Sequence, residues 1–292
     1  MISGIITSYK EPHTICKAIF HMIQAFRLAI VNYEILILCG DNETFTEAKL
    51  YKRDNIRIIR DEGLGKPSAL NLAFKEAKGD ILILSDGDTF ISKYAIRELL
   101  KQMEDPKVGA VSGRPRSINP KDNMLGFWSH LLTDTANKIR LEKENFIVSG
   151  YLYALRSNIV KEIPPITLSD DAFISYVLLE KGYNIGYASG ANVMVKFPNT
   201  FEDWLSQKKR STGGFTQLSS EFKMNVPKNT RSFRQEAKGL LRVVAYGKSI
   251  KELWWIKLLI GARIWMWLNI IWERKIMKKD FNKTWIRIGS TK

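Results

Sequence analysis

Ile81-Leu82-Ile83-Leu84 is an unbroken apolar run that passes directly into Ser85-Asp86-Gly87-Asp88. A strand with that composition is apolar on both faces, so it needs cover above and below, which points to the interior of a parallel sheet layered by helices. The chain around it repeats the theme. Ile2 to Thr7, Glu34 to Leu38, Ile56 to Ile59 and Val108 to Val111 read as further strands. Thr14 to Leu28, Phe45 to Tyr51, Pro67 to Lys78 and Lys93 to Met103 between them have helical periodicity. Alternation of this kind predicts βαβ units and an α/β fold with a mainly parallel central sheet and helices on both faces.

After Val111 the periodicity is less regular. Met124 to Leu141, Asp170 to Lys181 and Phe201 to Gly213 read as helices, and Phe146 to Arg156 reads as extended with a break at Gly150. Arg231 to Tyr246 and Lys248 to Met277 read as two more helical stretches. The expected division is an α/β domain over residues 1–220 and a helical tail over 221–292.

Charge supports that division. The 292 residues carry 45 Lys and Arg against 30 Asp and Glu, a formal charge of +15. Met1 to Trp204 holds 25 basic and 25 acidic residues, while Leu205 to Lys292 holds 20 basic and 5 acidic, so the whole excess lies in the last 88 residues. A nucleic-acid-binding fold spread over the chain would not leave its first two thirds neutral, and no nucleic-acid partner is expected. With 45% hydrophobic residues the chain can bury a real core, which excludes disorder. Two cysteines, Cys16 and Cys39, are too few for a disulfide framework. The opening residues lack a basic n-region, so no signal peptide is expected.

In an open α/β sheet, ligands gather beyond the carboxyl ends of the strands. The polar segments predicted there are Thr7 to Glu11, Cys39-Gly40-Asp41-Asn42, Asp61 to Lys66 and Ser85 to Asp88. Asp86-Gly87-Asp88 offers two carboxylates flanking a glycine, hard donors suited to Mg²⁺ or Mn²⁺ that also binds a diphosphate. Taken alone the tripeptide is more often a plain turn; its place after a buried strand favours the ligand reading. Gly63-Leu64-Gly65-Lys66-Pro67-Ser68 sets a lysine at the opening of a helix, where backbone N–H groups attract anions, although a solvated turn accounts for it equally well. It lacks P-loop spacing. Asp170-Asp171 opens another helix. One carboxylate suffices for a cap, so the other is a candidate general base. Gln207-Lys208-Lys209-Arg210 reads as a solvated basic turn or as a phosphate contact through Arg210. The scattered His13, His21 and His130 are taken as structural.

Ser3-Gly4-Ile5-Ile6-Thr7-Ser8-Tyr9-Lys10-Glu11 resembles the opening of family-2 glycosyltransferases. Asp41, Gly65-Lys66-Pro67-Ser68-Ala69-Leu70-Asn71, Asp86-Gly87-Asp88, Ser149-Gly150, Asp170-Asp171 and Gln207-Lys208-Lys209-Arg210-Ser211 succeed it in the order of its membrane-associated synthase branch. The resemblance covers about Ser3 to Gly214. It implies a GT-A fold and inverting transfer of a sugar from a nucleoside-diphosphate sugar. By position, Thr7, Glu11 and Asp41 would hold the nucleoside and Lys66 would lie near the diphosphate. Asp86 and Asp88 would serve ribose and metal, and Gln207 and Arg210 the donor. Asp171, with Asp170 beside it, would take the acceptor proton. The family often has Glu-Asp at 170–171, and the synthase branch usually has Trp where this chain has Ser211, so transfer of a single sugar is the expectation here.

Six of the eight tryptophans fall after residue 253. Leu253 to Trp272 is long enough to span a bilayer but contains Lys257, Arg263 and Asn269. A bent helix pair lying on an anionic membrane, with Trp at headgroup depth, fits the composition better. A buried helix covering the catalytic domain or a homo-oligomer interface is the alternative. The expectation is therefore a glycosyltransferase at the cytoplasmic face of the membrane, acting on a glycan or lipid-linked acceptor. The rivals are a sugar-phosphate nucleotidyltransferase and a non-catalytic basic binding protein.

Overall fold

A computed structural model describes residues 1–142, 146–225, 243–272 and 291 of the chain. The expected helix Arg231 to Tyr246 lies mostly outside these residues, as does the basic run Arg274 to Lys279. The described chain divides into two compact units, one formed by Met1–Arg116 and Arg140–Lys196, the other by Ser117–Ile139 and Phe197–Thr291.

The first unit is built on β1 (Ile2–Ser8), α1 (Ile15–Ala29), β2 (Tyr33–Cys39), α2 (Asn42–Ala48), β3 (Ile56–Arg60), α3 (Lys66–Glu76), β4 (Ile81–Asp86), β5 (Thr89–Ile91), α4 (Ala95–Gln102) and β6 (Val108–Ser117). It continues through β7 (Leu152–Arg156), α6 (Asp170–Glu180) and β8 (Asn184–Val195). Helix α5 (Met124–Glu142), before β7, falls mainly in the second unit together with α7 (Phe201–Ser220) and α8 (Ile250–Ile271).

The strands form one sheet in the order β3-β2-β1-β4-β7-β6-β8-β5. The first four are parallel, and every residue of β1 is buried, which is the two-sided cover that the apolar run at Ile81 demands. The expectation of a mainly parallel sheet fails beyond β4. β7 runs antiparallel to both β4 and β6, and β5 runs antiparallel to β8, so the sheet is mixed. The missed strand β8 explains the error: Gly186 and Gly190 interrupt its alternation, and much of it is not fully buried. Its partner β5 is only three residues long.

The strand order also fixes where a ligand can sit. From β1 the chain winds outward through β2 and β3, then crosses back to lay β4 on the other side of β1. That reversal opens a crevice beyond the carboxyl ends of β1 and β4. Their register pairs Thr7 with Asp86, so two of the predicted site residues face that crevice side by side.

The core of the second unit is aromatic. Phe127, Trp128 and Leu131 of α5, Trp204 of α7, and Ile256, Leu259 and Ala262 of α8 form one buried cluster. The Trp128 indole donates to the Trp255 carbonyl at 2.8 Å and packs 5.3 Å from the Trp204 ring. On α8 the buried positions Ile256, Leu259, Ala262, Met266 and Ile270 recur at helical spacing, while Trp254, Trp265, Leu268 and Trp272 are each more than half exposed. Among the described residues no helix is long and apolar enough to cross a membrane.

Candidate active site

Thr7, at the end of β1, donates its hydroxyl to Asp86 Oδ1 at 3.3 Å. The chain after Thr7 folds back over the Asp86-Gly87-Asp88 turn. Gly87 N–H donates to the Thr7 carbonyl at 2.9 Å, and Ser8 Oγ donates to Glu11 Oε2 at 2.8 Å. A Cβ on Gly87 would lie 2.4 Å from both Glu11 Oε2 and Ser8 Oγ. The glycine between the two aspartates is therefore dictated by the buried Glu11, and the two segments form one structural piece. Asp88 is half-buried in the turn leading to β5.

Lys66 is the first residue of α3, and Gly65 caps the helix at φ 105°, a conformation that favours glycine. Its ammonium is 2.6 Å from Asp86 Oδ1, 3.6 Å from Asp170 Oδ2, and donates to the Gly150 carbonyl at 3.3 Å. Burial works against the charge of Lys66, but Asp170 and Asp86 overcome it and hold the ammonium well above the usual lysine range. Three separate segments thus converge on one cation.

The two aspartates that open α6 have different surroundings. Burial pushes the Asp170 carboxyl up, Lys66 opposes it, and the neighbouring Asp171 and Asp86 charges push it further up. Its Oδ2 is buried and has no hydrogen-bond partner among the described residues. Asp171 is held by hydrogen bonds. Its Oδ2 accepts from Gly150 N–H at 3.2 Å, and its Oδ1 accepts from Ser169 Oγ at 2.6 Å and Ala172 N–H at 2.9 Å. A Cβ on Gly150 would approach Asp171 Oδ2 to 3.3 Å, so glycine leaves room for this contact.

Asp41 has a structural task in hand. It caps α2 by accepting from Thr44 N–H at 3.0 Å, and it also accepts from Lys10 N–H. Burial disfavours its charge, yet these backbone donors hold the carboxyl below its ordinary value. Gln207 and Arg210 stand on α7 in the second unit, half-buried and one helical turn apart. His21 and His130 bond to the Ile91 and Asn119 carbonyls, as structural histidines do.

Tyr153 has no signal in the sequence. It is fully buried on β7, and its hydroxyl has no hydrogen-bond partner among the described residues. Burial raises its ionisation well above the usual tyrosine range, with Asp170 adding to the effect and Lys66 opposing it. Its place depends on β7 running antiparallel to β4, which sets Tyr153 opposite Leu84 and brings Gly150 to the carboxyl end of β4. Arg140 is a second such residue: burial holds its guanidinium below the ordinary arginine range, opposed in part by Tyr187 and Asp171.

The carboxylates suit a hard divalent cation. No group of three or more His, Cys, Asp or Glu side chains among the described residues could hold a metal by itself. A cation on Asp86 and Asp88 would complete its shell with diphosphate oxygens and water, as Mg²⁺ commonly does. The ammonium between Asp86 and Asp170 shows that a positive charge is accommodated there.

Residues 2–214 match the family model described as Glycosyltransferase like family 2. The chain belongs to this glycosyltransferase family. Among curated relatives it is 26% identical over 235 residues to poly-beta-1,6-N-acetyl-D-glucosamine synthase of Staphylococcus aureus, covering 76% of this chain and 56% of the relative. It is 29% identical over 234 residues to the probable glycosyltransferase YdaM of Bacillus subtilis, covering 73% and 54%. The chain thus spans about half the length of these relatives. Solved structures also share the fold. The mannosyltransferase PcManGT of Pyrobaculum calidifontis, in complex with GDP-Man and Mn²⁺, aligns at TM-score 0.64 and 16% identity over 96% of this chain and 88% of that one. S. aureus TarS 1-349 aligns at 0.52 and 12%, over 95% and 92%. The family-2 chain therefore has an α/β GT-A-like fold with a mixed sheet.

Proposed function

We propose that this family-2 glycosyltransferase transfers one sugar, with inversion, from a nucleoside-diphosphate sugar to a glycan or lipid-linked acceptor, with Mg²⁺ or Mn²⁺ as cofactor. The observation that carries the reading is the meeting of Asp86, Asp170 and Gly150 on the Lys66 ammonium, in the crevice between β1 and β4. The complex of the similar mannosyltransferase with GDP-Man and Mn²⁺ supports the donor class and the metal.

In this reading Thr7, Glu11 and Asp41 line the nucleoside end of the crevice. Lys66, at the amino end of α3, attracts the diphosphate through its own charge and the helix's unpaired N–H groups. Asp86 and Asp88 would hold the metal, which when bound would supply positive charge against the departing diphosphate. Gln207 and Arg210, one turn apart on α7, carry N–H donors of the kind that phosphate oxygens accept. The site then needs a base for the acceptor hydroxyl. Asp170 is engaged with Lys66 on the donor side, whereas Asp171 is oriented by Gly150, Ser169 and its own helix N-terminus. We assign the proton to Asp171, a carboxylate fixed in orientation by the Gly150 N–H, Ser169 Oγ and Ala172 N–H donors. As the acceptor oxygen attacks the anomeric carbon, the bond to the diphosphate breaks on the opposite face and its electrons leave with the nucleoside diphosphate.

The place of action is proposed as the cytoplasmic face of a membrane. The support is the +15 charge confined to the last 88 residues and the tryptophans exposed on α8, which suit an anionic headgroup layer. Because no described helix can cross a bilayer, α8 lies on the surface in this reading.

Incubation with labelled nucleotide-sugar and Mn²⁺ tests the reaction class. Glycosyl transfer releases a nucleoside diphosphate; a nucleotidyltransferase would instead consume added pyrophosphate and yield a nucleoside triphosphate and a sugar 1-phosphate.

A further inference from the structure

We propose that Lys66 is an internal counter-ion that keeps the divalent cation off Asp86 until a nucleoside diphosphate enters, so that metal binding depends on nucleotide. The inference rests on the proposed donor and metal.

The Lys66 ammonium is within hydrogen-bond distance of Asp86 Oδ1 at 2.6 Å and the Gly150 carbonyl at 3.3 Å, and Asp170 Oδ2 faces it as an ion-pair partner at 3.6 Å. These acceptors belong to β4, the segment before β7, and α6, so the ammonium draws together three elements distant in sequence. Asp86 Oδ1 also accepts from Thr7. A divalent cation on this carboxylate would lie only a few ångströms from the ammonium, where two positive charges repel strongly in a partly buried site. The pocket therefore holds either the ammonium or the metal beside Asp86 with comparable neutralisation, but not both at full strength.

The arriving diphosphate changes that balance. It brings negative oxygens to the amino end of α3, where the helix already favours an anion. Lysine carries its charge on a flexible four-carbon stem, so Nζ can swing from Asp86 to a phosphate oxygen without moving the helix. Asp86 is then exposed to the cation, which gains the phosphate oxygens as further ligands. The order has a chemical use: a cation bound without nucleotide would need both aspartates and water alone, and Lys66 makes that state unfavourable.

The test measures Mn²⁺ binding, by the loss of the free-ion EPR signal, in the full chain with and without GDP and, separately, UDP. The wild type should bind Mn²⁺ weakly alone and at least about tenfold more tightly with the accepted nucleotide. Lys66→Met should bind Mn²⁺ alone about tenfold more tightly than wild type and gain less from nucleotide than wild type does. Lys66→Arg, which keeps the charge, should remain weak without nucleotide. Lys66→Gln repeats the test should the methionine variant fail to fold. If the wild type binds Mn²⁺ equally well without nucleotide, or if the neutral variants bind it no better alone, the counter-ion role is overturned while the metal site stands. If no Mn²⁺ binds even with nucleotide, the metal reading itself is overturned.

Discussion

Replacing Gly87 with Ala probes the link between the amino-terminal loop and the paired aspartates. The added methyl would sit 2.4 Å from Glu11 Oε2, 2.4 Å from Ser8 Oγ and 2.7 Å from Ser8 Cβ. Ordinary van der Waals contact begins near 3.4 Å, so the Ser8–Glu11 turn or the Asp86–Asp88 turn must give way by about 1 Å. Neither can do so without cost. Gly87 N–H is tied to the Thr7 carbonyl, and Ser8 Oγ is tied to Glu11, which is buried. Overpacking of this kind costs roughly 1–3 kcal/mol. A misplacement of about 1 Å in a catalytic group can lower turnover by roughly 10²-fold. Denaturant unfolding should therefore show a stability loss in that range with m unchanged, and nucleoside diphosphate release should fall far more than folding does. A Gly87→Ala protein as stable and as active as wild type would refute the proposed coupling of Glu11 to the aspartate turn.

Four further substitutions and labels have expected outcomes. Glu34 is buried and accepts from Ser3 Oγ and Lys78 N–H while pairing with Arg57, which also pairs with Glu76, so Glu34→Gln should destabilise the fold by about 1–2 kcal/mol in urea unfolding. Burial opposes the charge of Glu34, but these partners hold its pKa below the ordinary 4.5, so its contribution is present above that value and is lost as pH falls through the lowered one; the Glu34→Gln difference should shrink over that acid range. Trp128→Ala should cost about 3–5 kcal/mol by emptying the aromatic cluster and leaving the Trp255 carbonyl without its donor, read in the same assay. Gly261 lies inside α8 with open space where a Cβ would go, so Gly261→Ala should stabilise by about 0.5–1 kcal/mol. Burial lifts the Cys39 thiol up to about 12, so a maleimide at pH 8 should label Cys16 and leave Cys39 untouched until the protein unfolds.

What the sequence made readable was what local physics controls. The apolar run at Ile81 required a doubly covered strand, and the polar segments after β1, β2, β3 and β4 indicated the edge where a site would form. Asp86-Gly87-Asp88 and Asp170-Asp171 stood out because carboxylates at strand ends and helix starts are recognisable without a partner. What remained hidden depends on pairing between distant strands. β8 does not alternate cleanly, since two glycines break its pattern, and without it the antiparallel half of the sheet has no edge. Tyr153 shows the consequence: only the β4–β7 register places it near Asp170 and Lys66. The meeting of Lys66 with both Asp86 and Asp170 was invisible for the same reason, because it joins residues 20 and 104 positions apart. In the tail, the sequence set the positive Lys257 and Arg263 within the apolar stretch Leu253 to Trp272. The fold accommodates them by burying a narrow stripe of α8 and leaving Lys257 outside.

The central claim is that the carboxylates gathered at the ends of β4 and α6 conduct sugar transfer, with Asp171 receiving the acceptor proton. Single-turnover release of nucleoside diphosphate from a nucleotide-sugar, compared between wild type and a folded Asp171→Asn variant, tests it most directly. The account predicts a burst of nucleoside diphosphate from the wild type and a fall of at least about 10²-fold in Asp171→Asn. Near-normal release from Asp171→Asn, with its melting temperature unchanged, would contradict it.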